Sequence, residues 1–331
     1  QEALGTHSNQ IGSTAKAVIK IAFITESLGF LGLTLLLAPL KGLKDAMYEA
    51  FFFCISAFNN AGFALNGNNM TAYVHQPMIS FIISLLIITG GIGFLVILDI
   101  IKHKRWQKFT LHTKVMVLGT LALNIIGCIL YWLLERHNAK TIGGLSEAGQ
   151  WFASWFMAVT SRTAGFNNVD YSQVTDARTL LTFSLMFIGA GSMSTGGGIK
   201  IGTFVVILAS TRAYLRQHPQ VTIFHRAISD HLVKKSFAVM STSILMIALA
   251  AFILTIFEPE GHLVDILFEV ISASATVGLS RNFTPTLSEP GQWVIMFMMY
   301  MGRLGPLTLA YFIATPKPTR IRYPETHTLI G

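Results

Sequence analysis

The chain has 331 residues, 52% of them hydrophobic and only 12% charged, with a mean hydropathy of +0.56. That composition excludes an ordinary soluble domain and makes a lipid bilayer the expected solvent. The net charge of +8 is split among separate connections and builds no single basic face, which excludes a nucleic-acid partner.

In chain order, apolar runs at 17–40, 78–98, 115–134, 180–210, 236–257 and 293–314 predict about six membrane-spanning helices, each near or above the roughly 20 residues that cross a hydrocarbon core. The first run carries Lys20 and Glu26, the fourth is interrupted by glycines, small polar residues and Lys200, and the last carries Arg303. One connection holds Lys102, Lys104, Arg105, Lys108 and Lys114 with no acid; the next holds Arg212, Arg216, Arg226, Lys234 and Lys235 against Asp230 alone. The positive-inside rule puts both in the cytoplasm. Residues 64–77 and the stretch with Glu258, Glu260 and Asp265 then face outward. Cys54 and Cys128, the two cysteines, sit in apolar segments and read as buried apolar residues, not as a disulfide or zinc site.

Glycine discloses an internal repeat. Phe58-Asn59-Asn60-Ala61-Gly62-Phe63, Ser161-Arg162-Thr163-Ala164-Gly165-Phe166 and Ser274-Ala275-Thr276-Val277-Gly278-Leu279 align without gaps, their glycines 103 and 113 residues apart. Each follows a short apolar stretch (46–58, 147–160, 263–275) that is too short to span. The unit is therefore span, short helix, glycine turn, span. Non-helical backbone at membrane depth is tolerated only where it is buried in protein or lines a watery cavity. A dehydrated cation needs several equivalent oxygens with no side chain in the way, and backbone carbonyls supply them where glycine relieves the strain of aligning them. One such glycine is more simply a helix breaker; three in register point to a pore.

The segments SAFNNAGF (56–63), TGGIGF (89–94), AVTSRTAGFN (158–167), MFIGAGSMSTGGGIK (186–200), SATVGL (274–279), GRLGPLT (302–308) and IRYPE (321–325) together resemble the Ktr/Trk/HKT superfamily of potassium transporters, most closely the Ktr-type bacterial membrane subunit. The resemblance implies an all-α integral membrane protein of repeated helix, pore-loop helix, helix units, potassium-channel-like, around a central ion pathway. The superfamily has four such repeats, and this chain looks like the last three: a linker from the first repeat at 1–16, repeats at 17–108, 109–217 and 218–315, and a cytoplasmic tail at 316–331.

Carried over by residue, the potassium-binding filter comprises Asn60, Ala61, Gly62 and Phe63; Thr163, Ala164, Gly165 and Phe166; and Thr276, Val277, Gly278 and Leu279. Potassium is the transported ion, with sodium an activator of some relatives. The superfamily's first filter helps to separate potassium selectivity from sodium permeability, so a sodium-permeable or other monovalent cation transporter of the same superfamily is the alternative. The resemblance also implies a gating loop that obstructs the pore, matching Gly189, Gly191, Ser192, Ser194, Thr195, Gly196, Gly197 and Gly198. Such a run of glycines and small polar residues cannot hold a rigid helix in mid-span. The implied setting is a bacterial cell membrane and its lipid, a homodimer in which the tail 320–331 takes part, and a cytosolic RCK-type ring that binds ATP or ADP; this chain itself carries no cofactor.

Six charges complete the expectations. Arg303, in an uncharged span, costs roughly 2.5–3.5 kcal/mol at a helix centre and reads as an electrostatic barrier and loop anchor. Lys200 is either a helix residue reaching the vestibule or a gating contact. Arg162 and Glu269 are expected to pair behind the filter, whereas Glu26 and Asp99 are structural or interfacial. An enzyme is excluded: GAGSMSTGGGIK superficially matches a phosphate-binding loop, but Ile199 and Ile201 flank Lys200, and no hydrolase or metalloprotease motif occurs. Two spans per repeat keep all repeats in one orientation, unlike the inverted repeats of many secondary transporters.

Overall fold

The computed structural model describes residues 8–305, and nearly every described element is helical. In order these are α1 (Ser8–Lys41), α2 (Leu43–Phe58), α3 (Pro77–Gly91), α4 (Phe94–His103), α5 (Leu111–Glu135), α6 (Glu147–Thr160), α7 (Asp176–Phe187), α8 (Ile201–Leu215), a two-residue-per-strand hairpin of β1 (Thr222–Ile223) and β2 (Arg226–Ala227), α9 (Asp230–Phe257), α10 (Leu263–Ser274) and α11 (Glu289–Leu304).

Each repeat opens with a long apolar helix: α1 from Thr14, α5 and α9 are long and apolar enough to cross a membrane. Their large apolar side chains include many that face outward, such as Phe23 and Leu35 on α1, Leu121 and Ile125 on α5, and Leu245 and Phe252 on α9. An outward apolar surface of this kind is what lipid stabilises and water does not. The three short helices fall where the sequence predicts them. At 16, 14 and 12 residues, α2, α6 and α10 are roughly 18–24 Å long, too short to span, and their buried faces carry Phe53, Phe156 and Phe268.

Local chemistry sets the helix starts. The hydroxyls of Thr110, Ser146, Thr175 and Ser288 accept from Thr113 N, Gly149 N, Arg178 N and Gly291 N to begin α5, α6, α7 and α11, satisfying amides that no helical partner can reach. Within each repeat the long helix packs on its short helix, α1 on α2, α5 on α6 and α9 on α10. Between repeats, α3 packs on α6 and α7 on α10, so each repeat's closing helix leans on the next repeat's short helix. That staggered packing brings the three glycine turns together.

One second helix differs from the continuous span expected, and a second is broken where the glycine-rich run predicts. Run 78–98 is α3 and α4, bent by 93°. Run 180–210 is α7 and α8, separated by the loop 188–200. Run 293–314 is helical as α11 to Leu304, and the rest of it lies outside the described residues. So do the start of the linker 1–16, the IRYPE segment 321–325 and the tail 316–331 to which the dimer contact is assigned.

Candidate functional site

The three glycine turns have one backbone. Asn60, Thr163 and Thr276 have φ of 51°, 76° and 53°, and two residues on Gly62, Gly165 and Gly278 have φ of 73°, 84° and 87°. Alternating entries into the left-handed region turn successive carbonyls toward one side. Threonine at positive φ is strained, because a β-branched side chain crowds that conformation. Two threonines in equivalent places mark a site whose surroundings impose it.

The turns meet. A methyl group on Gly62 would overlap the Ala164 carbonyl, and one on Gly165 would overlap the Val277 carbonyl, whereas nothing lies within 4 Å of the same position on Gly278. The segments thus form an arc in chain order with an open face at the last. Pore-helix hydroxyls tie down the outer ends: Ser56 Oγ donates to the Phe63 carbonyl at 2.8 Å and Thr160 Oγ1 to the Phe166 carbonyl at 2.7 Å. Asn69 Nδ2 donates to the Gly62 carbonyl at 3.1 Å. These three carbonyls are held by the protein, so Asn60 and Ala61 in the first turn, and Thr163, Ala164 and Gly165 in the second, keep the carbonyls with no protein donor among the described hydrogen bonds. Phe63 is exposed while Phe166 and Leu279 are buried, so the fourth position is not equivalent across repeats.

The charged groups behind the turns find their partners locally. Buried Glu49 on α2 accepts from Lys41 Nζ at 2.6 Å, Asn66 Nδ2 at 3.0 Å and Tyr73 OH at 2.7 Å. The expected pair of Arg162 with Glu269 does not form. Glu269 accepts from the Ser280 hydroxyl at 2.8 Å and from Thr284 Oγ1, outer-loop groups that neutralise its need for a cation. Arg162 reaches the other way, donating to Asn124 Oδ1 at 2.9 Å, the Thr120 carbonyl at 3.3 Å and the Gly189 carbonyl at 3.4 Å. It therefore joins the third-repeat turn to the start of the glycine-rich loop.

That loop is closed at its base, where Gly189 N donates to the Ile199 carbonyl at 2.9 Å and Ile199 N to the Phe187 carbonyl at 3.2 Å. Its crown lies against the first residue of every turn. Thr195 Oγ1 donates to the Phe58 carbonyl at 3.2 Å. A methyl on Gly196 would overlap Thr163 Oγ1 and come within 3.1 Å of Asn60 Nδ2; one on Gly197 would overlap Thr276 Oγ1 and stand 2.9 Å from the Ala275 carbonyl. Asn60 Nδ2 also donates to Thr163 Oγ1 at 3.1 Å, joining two repeats directly above the loop. Glycine at 196 and 197 is a requirement of this fit.

Both cations assigned to the loop touch it. Arg303 Nη1 donates to the Thr195 carbonyl at 2.6 Å. Lys200 Nζ donates to the Gly196 carbonyl at 2.6 Å and approaches that of Gly197 at 3.4 Å. Ser194 Oγ donates to the Gly191 carbonyl at 2.8 Å and accepts from Gly196 N at 3.2 Å, and the Ser192 carbonyl faces Gly93. Asp99 pairs with His103 at 2.6 Å, a structural contact at the end of α4. Cys54 and Cys128 are free and buried.

Two features escape the sequence. Arg178 is fully buried, 3.8 Å from Glu135 and over the rings of Tyr131 and Tyr171 at 5.3 and 4.9 Å; it precedes an apolar run and gives no sign of entering the core. The bend at 91–94 is the second, and its three glycines in TGGIGF are the signal that could have found it.

Fold and site together define a multi-pass membrane protein in which re-entrant pore loops converge above a glycine-rich loop. The chain belongs to the TrkH family of cation transport proteins, whose profile matches residues 1–322, and is thus a transporter and not an enzyme. It is 44% identical to Ktr system potassium uptake protein B of Vibrio alginolyticus, across 100% of this chain and 73% of that protein. It is 42% identical to the protein of the same name from Bacillus subtilis, across 100% and 74%. Potassium/sodium uptake protein NtpJ of Enterococcus hirae is 33% identical over 95% of this chain and 71% of its own length. The crystal structure of the potassium transporter TrkH from Vibrio parahaemolyticus superposes with a TM-score of 0.77 at 18% identity, covering 94% of this chain and 66% of that one, a likeness of fold.

Proposed function

We propose that this chain forms most of the pore of a bacterial potassium uptake system in the cell membrane, passing potassium through a carbonyl-lined filter above the glycine-rich loop as gate. The observation that carries the reading is the shared backbone of the three turns, positive at Asn60, Thr163 and Thr276 and again at Gly62, Gly165 and Gly278, with the loop seated beneath all three. A barrier of backbone and small side chains can move aside at little steric cost, and Arg303 adds charge repulsion and an anchor. Relatives named for potassium uptake support the choice of ion, and their Ktr system names support a regulatory partner subunit. The cytosolic RCK-type ring binding ATP or ADP, the homodimer and activation by sodium belong to the same proposal.

Rubidium uptake by the full-length protein in a potassium-uptake-deficient bacterium tests it, with sodium as competitor. Gly165→Ser is expected to abolish selective uptake, because φ of 84° and the Val277 carbonyl leave no room for a side chain. Robust transport insensitive to this change would remove the filter reading. Equal passage of sodium would favour the alternative suggested by the relative named for both potassium and sodium.

A further inference from the structure

The apolar run 78–98 contains no proline, yet it is two helices meeting at 93°. Gly93, with φ of 106°, makes the corner. A break inside a membrane frees backbone groups, and each one left unpaired there costs several kcal/mol. In a continuous helix Phe94 N would donate to the Gly90 carbonyl, and the Gly91 carbonyl would also accept from four residues on. All three groups are instead paired with the glycine-rich loop. Phe94 N donates to the Met193 carbonyl at 3.1 Å, Thr195 N to the Gly90 carbonyl at 3.2 Å, and Gly191 N to the Gly91 carbonyl at 2.8 Å.

The shapes match as well as the hydrogen bonds. A methyl on Gly93 would stand 2.5 Å from the Ser192 carbonyl, and one on Gly191 would overlap the Ile92 carbonyl. One on Gly90 would overlap the Phe58 carbonyl at the end of α2. Loop, bend and pore helix thus meet backbone to backbone below the filter.

We propose that the α3–α4 bend and the loop are one two-state switch, with Gly90, Gly91 and Gly93 forming the seat that holds the loop closed. The proposal rests on reading the loop as the gate. When the loop leaves, the bend loses three partners at once, and residues 90–94 recover them by re-forming helical bonds. That brings α4 toward the line of α3. At ten residues α4 is about 15 Å long, so a swing through the full bend carries its far end by roughly 20 Å. That end leads into the basic connection with Lys104, Arg105 and Lys108. With the loop seated it is held to α5 through Asp99, which accepts from Thr110 N at 2.9 Å and Thr110 Oγ1 at 3.0 Å, a contact that the swing breaks. Force applied at the cytoplasmic connection therefore reaches the loop through α4, and loop movement reaches the connection by the same route.

The test perturbs the loop and reads the helix. Full-length protein with Cys54 and Cys128 replaced by alanine carries spin labels at Ile101→Cys and Leu118→Cys, both exposed positions, and is diluted with unlabelled protein in lipid nanodiscs. Gly191→Ala is expected to add a population whose label separation differs by roughly 10 Å or more and to raise rubidium flux several-fold. Gly93→Ala should do the same from the other side and expose Ser194→Cys to a cytoplasmic thiol reagent. Gly67→Ala, which meets nothing within 4 Å, controls for non-specific effects. Raised flux with unchanged label separation in both variants overturns the coupling while leaving the gate intact. Changed separation with unchanged flux upholds the coupling and removes the gate reading. Unchanged separation and flux in well-folded variants overturn the seat.

Discussion

Arg303 shows how one side chain can serve two purposes in a cation pathway. Its guanidinium binds the Thr195 carbonyl at the crown of the loop, and in the proposed pore a fixed positive charge there would oppose the permeating ion. A charge-assisted hydrogen bond is stronger than a neutral one, but Arg303 is exposed, and solvent reduces its contribution to about 1 kcal/mol. Arg303→Ala is therefore expected to shift the loop toward its open form by roughly fivefold and to raise basal rubidium leak in proteoliposomes by a similar factor. Arg303→Lys keeps the charge and loses the fork, so it should restore the barrier better than the anchor. An unchanged leak in the alanine variant would remove Arg303 from the gate. This residue was legible in the sequence because a lone arginine in an apolar run demands an explanation. Arg162 was equally visible but its partner was not: a buried arginine can take Asn124 and carbonyls as its acceptors, and nothing in the sequence tells carbonyl partners from a carboxylate.

At the scale of elements, the short helices were readable because aromatic stretches of a dozen residues ending in glycine are too short to span and too apolar for a surface loop. The bend between α3 and α4 had a local signal in Gly90, Gly91 and Gly93, but its partners were not readable, since the loop that takes up its freed amide and carbonyls lies in another repeat, about a hundred residues further along. The core of the third repeat was hidden for a related reason. Arg178 stands in the first turn of α7, where a cation normally reaches water, yet Tyr131, Tyr171, Met157 and Glu135 enclose it. Glu135 also accepts from Thr175 N at 3.0 Å and Thr141 Oγ1 at 2.5 Å, so the cluster pins α5, the start of α7 and the loop before α6 around the filter's support. Removing one partner of a buried pair costs about 3–5 kcal/mol, because the other charge stays buried. Arg178→Ala should thus lower the thermal midpoint of the detergent-solubilised protein and its folded yield. Arg178→Met combined with Glu135→Gln should recover part of both. A single variant as stable as the original protein would show that the rings, not the ion pair, hold this cluster.

For the whole molecule, the selectivity of a carbonyl filter depends on how firmly separate repeats hold their turns at fixed spacing. At the outer mouth, polar ties join neighbouring repeats. Met70 N donates to the Asn167 carbonyl at 3.1 Å, joining the first two turns' flanks. Arg281, just after the last turn, pairs with Asp265 at 2.6 Å and donates to Thr179 Oγ1 at 2.9 Å and the Tyr171 carbonyl at 3.2 Å in the preceding repeat. Asn282 Nδ2 adds a longer bond to Asp170 Oδ1 at 3.3 Å, so Arg281 supplies most of the polar tie between the last turn's flank and its neighbour at the mouth. Arg281→Ala should let that turn relax while leaving the loop, its seat and Arg303 untouched. The expected outcome in full-length protein is preserved rubidium uptake with weaker discrimination, read as a several-fold rise in inhibition by sodium. Arg281→Lys reaches Asp265 but cannot bridge to the other repeat at the same time, so it should fall between the two. If sodium inhibition is the same in all three proteins, the spacing of the turns is set by the packing of α7 on α10 and not by the polar tie at the mouth.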